Sequence, residues 1–169
     1  MRENTLKQKL ESGKAVFGVM ITFPSAPVVE MLGQLGFDWV LLDNEHGNIA
    51  VENVEDLVRA ADLTGIAPIV RPVANRPDVI APFLDRGAWG VQVPHVNTAE
   101  EARASVDAVK YYPSGHRGIF SRSRPADYGF SGSTQDYVTK ANANTLVCLM
   151  LEEVEAIDNL EELVKVDGV

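Results

Sequence analysis

The chain has 169 residues, of which 46% are hydrophobic and 23% charged, a composition typical of one globular domain with a sizeable core. Its net charge of −9 disfavours nucleic acid, whose phosphates require a basic footprint, and also disfavours anionic membrane surfaces. The single cysteine, the polar segment 1–10 and the lack of a run of membrane-spanning length predict a cytoplasmic protein without disulfides.

Compact apolar runs alternate with amphipathic patterns along the chain. The apolar runs predict strands and the patterns with helical spacing predict helices. The predicted strands are 15–21, 39–42, 67–70, 90–93 and 145–151, with 167–169 as the start of a sixth. The predicted helices are 26–35, 51–63, 78–84, 99–109 and 154–164. Residues 110–133 form a long irregular stretch, which in a compact domain is usually functional or mobile.

Strand–helix alternation predicts an α/β fold with a parallel sheet covered by helices. The units measure roughly 25 to 30 residues, the size expected in a (β/α)8 TIM barrel, which typically needs about 250 residues. We therefore interpret residues 1–169 as a single, partial barrel domain with five βα units and the start of strand six. An open five-stranded sheet is the alternative, and a doubly wound sheet is disfavoured because residues 22–25 lack a glycine-rich turn.

An incomplete barrel leaves a buried parallel strand without a neighbour, which exposes backbone groups and apolar faces. We therefore expect an isolated 1–169 polypeptide to fold poorly, or to be covered by further sequence or by a neighbouring chain.

Polar side chains follow directly after four of the predicted strands. Carboxyl ends of parallel strands share one rim in a barrel, so residues far apart in sequence meet there. These residues are Asp43, Glu45 and His46 after strand two, Arg71 after strand three, His95 after strand four and Glu152 after strand five. Two alternatives remain open: Asp43 or Asn44 caps the next helix with His46 merely exposed, and His95 is a loop residue bonded to backbone.

These residue types can carry one specific chemistry. Glu152 is a hard oxygen ligand suited to Mg²⁺ or Mn²⁺, although one carboxylate alone is rarely enough. Arg71 offers a forked cation for a carboxylate or enolate oxygen, and His46 can carry a proton near neutral pH. A divalent metal, an arginine and a histidine together suit proton transfer beside a carbonyl, with the enolate held by the metal.

The motifs resemble the HpcH/HpaI aldolases, the metal-dependent class II pyruvate aldolases, over nearly the whole chain. The D-N-E-H turn at 43–46 is similar to that family's D-x-E-H signature. Further similar stretches follow in the same order, namely I-V-R-P-V-A-N at 69–75, the segment 84–102, Y-Y-P-S-G-H-R-G at 111–118, Y-V-T-K-A-N at 137–142 and M-L-E at 150–152.

The resemblance implies a TIM-barrel enzyme that cleaves 4-hydroxy-2-oxo acids to pyruvate and an aldehyde. It implies a divalent metal, Mg²⁺ or Mn²⁺ with Co²⁺ possible, and a homo-oligomer, possibly a hexamer. By the same resemblance His46 is the acid–base residue, Asp85 pairs with it, and Arg71 stabilises the pyruvate enolate. Glu152 binds the metal. Asp43 and Glu45 do not bind it directly but hold His46 and metal-bound water in position.

The sequence departs from the family pattern in two places. The second metal ligand of the family is an aspartate in a G-P-x-D-L stretch after the sixth strand, expected beyond Val169. Met150 stands where the family often has glutamine near pyruvate. Two rival interpretations are a citrate-lyase-like acyl-CoA lyase, which requires a basic groove, and a catalytically incomplete fragment or subunit.

Overall fold

A computed structural model describes residues 3–130 and 132–169 of the chain. Met1, Arg2 and Ser131, which belong to the polar amino-terminal segment and to the long stretch 110–133, lie outside the described residues. The strands are β1 Gly18–Ile21, β2 Trp39–Asp43, β3 Ala67–Arg71, β4 Gly90–Val93 and β5 Leu146–Leu149. The helices are α1 Thr5–Glu11, α2 Ala26–Gln34, α3 Val51–Thr64, α4 Pro77–Asp85, α5 Ala99–Val109, α6 Thr134–Asn144, α7 Val154–Asp158 and α8 Leu160–Leu163, with a 3₁₀ segment at Arg124–Gly129.

The five strands form one parallel sheet in the order β1-β2-β3-β4-β5. Each strand therefore lies beside its successor in the chain, and the order never reverses. A doubly wound sheet has a reversal at its switch point, whereas a (β/α) barrel adds strands in sequence. The sheet order thus supports the barrel interpretation, with β1 and β5 at the two edges of the described sheet.

The two faces of the sheet bury different apolar clusters. Val40, Leu42 and Val70 point to the helices and join the main core. Leu41 and Ile69 point the other way and pack with Leu6, Ala67 and Trp89 in a smaller cluster. This alternation follows from the two-residue period of a strand. The second cluster fills the concave side of the sheet.

Helix α1 lies beside the amino-terminal ends of the strands. Leu6 packs into the concave cluster, and the buried side chain of Asn4 donates to the carbonyls of Trp89 and Asn144. Asn4 also caps α1 by accepting a hydrogen bond from the N–H of Lys7. The carboxyl ends of the strands, where the polar residues lie, form the opposite rim.

Several element predictions need correction. Helices α1 and α6 were not predicted, although Ser133 and Asp136 form a capping box that begins α6. The predicted helix 154–164 is divided into α7 and α8 at Asn159, whose side chain donates to the carbonyl of Asn97. Residues 167–169 form no strand in the described structure, so the predicted start of strand six is wrong.

The helices of the described residues are short, and the longest, α3, has 14 residues. None of them combines the length and the hydropathy needed to cross a membrane.

Candidate active site

A buried ion pair joins the ends of β2 and β3. Asp43 and Arg71 are partners in the parallel register, so their side chains leave the sheet side by side. Arg71 donates from Nε to Asp43 Oδ1 and from Nη2 to Asp43 Oδ2, each at 2.8 Å. Asp43 is 1% exposed and Arg71 7% exposed, which makes this a two-point pair shielded from water.

The charge state of Asp43 is fixed by its hydrogen bonds. Burial pushes the pKa of Asp43 upward, but hydrogen bonds from Arg71 and from the backbone of His46 and Glu45 outweigh burial, so this pKa lies below its usual value. The hydrogen bond to Asp43 likewise raises the pKa of Arg71. Both groups are therefore charged at neutral pH.

Asp43 also shapes the turn that presents His46. Its Oδ1 accepts hydrogen bonds from the N–H of Glu45 at 3.1 Å and of His46 at 3.3 Å. Gly47 completes the turn, and a residue with a side chain does not fit there, because its Cβ would lie 2.4 Å from the Asp43 carbonyl oxygen. The N-cap position of α3 is Ala50, and the Asn44 side chain donates to the Ile49 carbonyl. The interpretation that Asp43 or Asn44 caps the next helix is therefore wrong.

Glu45 lies between the guanidinium of Arg71 and the imidazole of His95 and is mostly buried. Its Oε2 is 3.2 Å from Arg71 Nε, and its Oε1 is 3.3 Å from Nε2 of His95. The loops after β2, β3 and β4 thus meet at this carboxylate. His46, the next residue, has a side chain that is 74% exposed, and its Nε2 lies 4.0 Å from Glu45 Oε2. The hydrogen bond from the backbone of His46 to Asp43 fixes the position of this residue, while its imidazole remains accessible to a bound molecule.

Glu152 reaches the same rim from the end of β5. Its Oε2 accepts a hydrogen bond from the N–H of His95 at 3.1 Å and lies 3.8 Å from His95 Nδ1. About a third of its side chain is exposed. The hydrogen bond to Glu153 raises the pKa of His95; burial opposes this rise, and the charges of Glu152, Glu45 and Glu153 add to it.

The structure therefore brings together Asp43, Glu45, His46, Arg71, His95 and Glu152 from the ends of β2, β3, β4 and β5. Beside the predicted Met150 it adds Met20, which sequence reasoning missed. The thioether sulfurs of Met150 and Met20 lie 3.9 Å from Nη1 and 4.0 Å from Nη2 of Arg71. Met20 carried no sequence signal beyond its place near the end of β1.

The described residues supply only part of a metal site. Within residues 3–130 and 132–169, no group of three or more His, Cys, Asp or Glu side chains has a geometry that could hold an ion. Glu152 does offer the hard oxygen donors that Mg²⁺ and Mn²⁺ prefer. An ion at this rim would therefore need further oxygen ligands from water, from a substrate or from protein groups outside the described residues.

Within the single chain Asp85 lies away from this rim, so its expected pairing with His46 is not formed there and stays a prediction. It ends α4, just before β4, at the amino-terminal side of the sheet. His46 follows the carboxyl end of β2, and strands of four or five residues separate the two sides by roughly 13–17 Å. Asp85 instead accepts a hydrogen bond from Arg117 Nη2 at 2.6 Å.

Replacing Asp85 by asparagine is expected to lower stability by about 1–3 kcal/mol, since it leaves a buried cation without its charged partner. The Arg117 side chain is 2% exposed and stacks over the Tyr111 ring at 4.6 Å. The measurement is urea unfolding of Asp85→Asn beside Asp107→Asn, which removes an exposed acid paired with His116. Equal midpoints for the two variants would contradict the structural role of Asp85.

The sheet order and the acid–base rim define a protein of the (β/α)-barrel class with its polar centre at the carboxyl ends of the strands. A sequence profile described as HpcH/HpaI aldolase/citrate lyase matches residues 18–169. The chain belongs to this family, so the resemblance carried by the motifs is confirmed.

Individual relatives agree with the family assignment. The chain is 40% identical over 160 residues to a 2-dehydro-3,6-dideoxy-6-sulfogluconate aldolase of Pseudomonas putida, covering 95% of this chain and 62% of that protein. It is 36% identical over 166 residues to a pyruvate aldolase of Rhizobium etli, covering 98% of this chain and 64% of the relative.

A crystal structure of a family member from Burkholderia cenocepacia superposes with a TM-score of 0.90 at 28% identity, covering 98% of this chain and 66% of that one. The predicted fold class, an α/β barrel of which this chain forms five βα units, is thereby confirmed. The chain spans slightly less than two thirds of the length of these two curated relatives.

Proposed function

We propose that this chain carries the catalytic rim of a metal-dependent aldolase that cleaves 4-hydroxy-2-oxo acids to pyruvate and an aldehyde. The observation that carries the proposal is the buried Asp43–Arg71 pair beside the exposed imidazole of His46. A fixed guanidinium next to an accessible base suits a reaction in which negative charge develops on one oxygen while a proton leaves another. The aldolase names of the relatives support the same reaction class.

Arg71 is the group that binds the developing enolate. Its Nε and Nη2 are committed to Asp43, whereas Nη1 contacts only the soft sulfur of Met150 among the described residues. Nη1 is thus available for the 2-oxo or carboxylate oxygen of a pyruvate unit. The Asp43 pair holds the guanidinium in place before substrate arrives, so little reorganisation accompanies the reaction.

His46 is the group that moves the proton. In the cleavage direction its neutral imidazole takes the proton of the C4 hydroxyl, the C3–C4 bond breaks, and the electron pair passes to the pyruvate enolate. The C4 carbon leaves as the aldehyde carbonyl, and the enolate carbon C3 is then protonated to give pyruvate. Asp43 and Glu45 maintain the turn and the local charge around this base.

Glu152 would hold a divalent ion, Mg²⁺ or Mn²⁺ with Co²⁺ possible, together with ligands from outside the described residues. Such an ion supplies Lewis-acid polarisation of the 2-oxo group when it is bound.

Excess chelator is therefore expected to abolish pyruvate release from a 4-hydroxy-2-oxo acid, and added Mg²⁺ or Mn²⁺ to restore it. The measurement is a coupled assay for pyruvate with chelator added to the coupling enzyme alone as the control. Full activity in excess chelator would overturn the metal-dependent proposal.

We also infer the cellular location and the oligomeric state of the protein. We place it in the cytoplasm as a homo-oligomer, possibly a hexamer. Large apolar and aromatic side chains that are more than two-thirds exposed in the single chain support self-association, namely Phe17, Leu35, Leu63, Tyr112, Phe130, Val154 and Val164.

The rival acyl-CoA lyase interpretation has weaker support. It requires free basic groups for the phosphates of coenzyme A. Two arginines of the long loop are already paired within the chain, Arg117 with Asp85 and Arg124 with Asp62. These pairs leave a less basic surface than such a groove requires.

A further inference from the structure

His95 has an unusual backbone conformation just beyond β4. Its φ of 54° lies in the left-handed region, which a residue with a side chain adopts only when its surroundings hold it there. Such residues cluster at functional sites. The contacts of His95 show what this conformation achieves.

The left-handed turn directs the amide of His95 to a side chain instead of the sheet. On either side of it the β4–β5 ladder continues, since Met150 N–H donates to the Val93 carbonyl at 2.8 Å and Val96 N–H donates to the Met150 carbonyl at 3.3 Å. The His95 N–H lies between these bonds and donates to Glu152 Oε2 at 3.1 Å. The backbone of the loop after β4 thus fixes the carboxylate of Glu152 in the loop after β5.

The ring of His95 joins two further loops. Nδ1 lies 3.1 Å from Glu153 Oε1, and Nε2 lies 3.3 Å from Glu45 Oε1. The side-chain Nδ2 of Asn97 donates a hydrogen bond to the other oxygen of Glu153, Oε2, at 2.5 Å. Glu45 in turn contacts Arg71. His95 is therefore the link between the Asp43–Arg71 pair and the carboxylate of Glu152.

We propose that His95 is a positioning residue of the rim, which sets the distance between Arg71 and Glu152 by holding Glu45 with its ring and Glu152 with its backbone. This inference rests on the proposed aldolase function. It assigns His95 no proton transfer. It predicts that losing the ring frees Glu45 and Glu153 and removes the imidazole 3.8 Å from Glu152 Oε2, so Glu152 is left with the backbone bond alone and becomes less fixed.

The test uses variants that retain the left-handed backbone. Glycine adopts it freely, and asparagine is the side chain that tolerates it best. His95→Gly removes both ring contacts, whereas His95→Asn keeps a polar group near Glu153 but cannot reach Glu45. His116→Gly is the matched control, because His116 is an exposed loop histidine paired with Asp107.

Mn²⁺ affinity, followed by the spectroscopic signal of free Mn²⁺, is expected to fall about 10- to 100-fold in His95→Gly, the usual effect of losing a residue that supports a metal ligand. His95→Asn should fall between His95→Gly and the wild type, and His116→Gly should match the wild type. The kcat for pyruvate release should fall with Mn²⁺ affinity. Unchanged Mn²⁺ affinity and kcat in His95→Gly would overturn the proposal.

A second measurement separates this role from the proposed function. His95→Gly, Glu45→Gln and the double variant are compared by urea unfolding, which requires no activity and no metal. If His95 holds Glu45, the two changes are not additive, because the second removes a contact that is already lost. Strict additivity would refute the link even if the enzyme proves to be an aldolase. Clear coupling in a protein without aldolase activity would preserve the link and refute the function instead.

Discussion

Replacing Arg71 by methionine is expected to destabilise the protein by about 3–5 kcal/mol, since the change leaves the carboxylate of Asp43 buried without its cation. The pair is almost inaccessible to water, and both oxygens of Asp43 depend on Arg71. Urea unfolding measures the loss. Arg59→Met is the matched control, because Arg59 pairs with Glu55 and Asp56 at the surface and should cost less than about 1 kcal/mol.

A double variant separates the structural role of Arg71 from its chemical role. Arg71→Met combined with Asp43→Asn removes both charges and should recover much of the lost stability. It should still be impaired by about 10²–10³-fold in kcat, the scale reported for losing one preorganised donor to a developing oxyanion. A double variant that recovers its stability and also has a normal kcat would show that Arg71 serves only to neutralise Asp43.

Replacing His46 by alanine is expected to lower kcat by about 10²–10⁴-fold with little effect on stability. The imidazole is 74% exposed and its ion-pair contact with Glu45 is long, at 4.0 Å, so the fold gains little from it. The measurements are pyruvate release under saturating substrate and thermal unfolding of the same samples. His116→Ala, which removes another exposed histidine, should leave both quantities unchanged.

Two outcomes would contradict the role given to His46. If His46→Ala keeps normal pyruvate release, another group moves the proton, and His95 is the nearest imidazole in the same cluster. If the variant loses stability as well as activity, the ring supports the turn and the kinetic loss cannot be assigned to proton transfer.

The sequence predicted the strand ends well because buried parallel strands leave a strong signal. The apolar runs at β2, β3 and β5 are followed by polar residues at their carboxyl ends, which placed Asp43, Arg71 and Glu152 on one rim. The strength of the Asp43–Arg71 pair was not predictable, because it depends on the register of β2 against β3.

The separation of Asp85 from His46 within the chain has a different cause. Its expected partner came from family resemblance, which gives roles to residues without giving their positions within one chain. The order β3–α4–β4 already fixes the end of α4 on the amino-terminal side of the sheet, so topology alone separates Asp85 from His46. The left-handed turn at His95 could not be predicted from the sequence, since histidine adopts that conformation more often than most residues but still in only a small minority of cases.

The most direct test of the proposed chemistry is the exchange of pyruvate methyl protons with deuterated water, followed by proton NMR. The enolate account predicts that the folded chain with Mg²⁺ or Mn²⁺ replaces the methyl protons faster than buffer with the ion alone. It also predicts that chelator and the Arg71→Met/Asp43→Asn variant both suppress this exchange. A protein that is folded and metal-loaded, yet exchanges pyruvate no faster than buffer, would contradict the assignment of this rim to enolate chemistry.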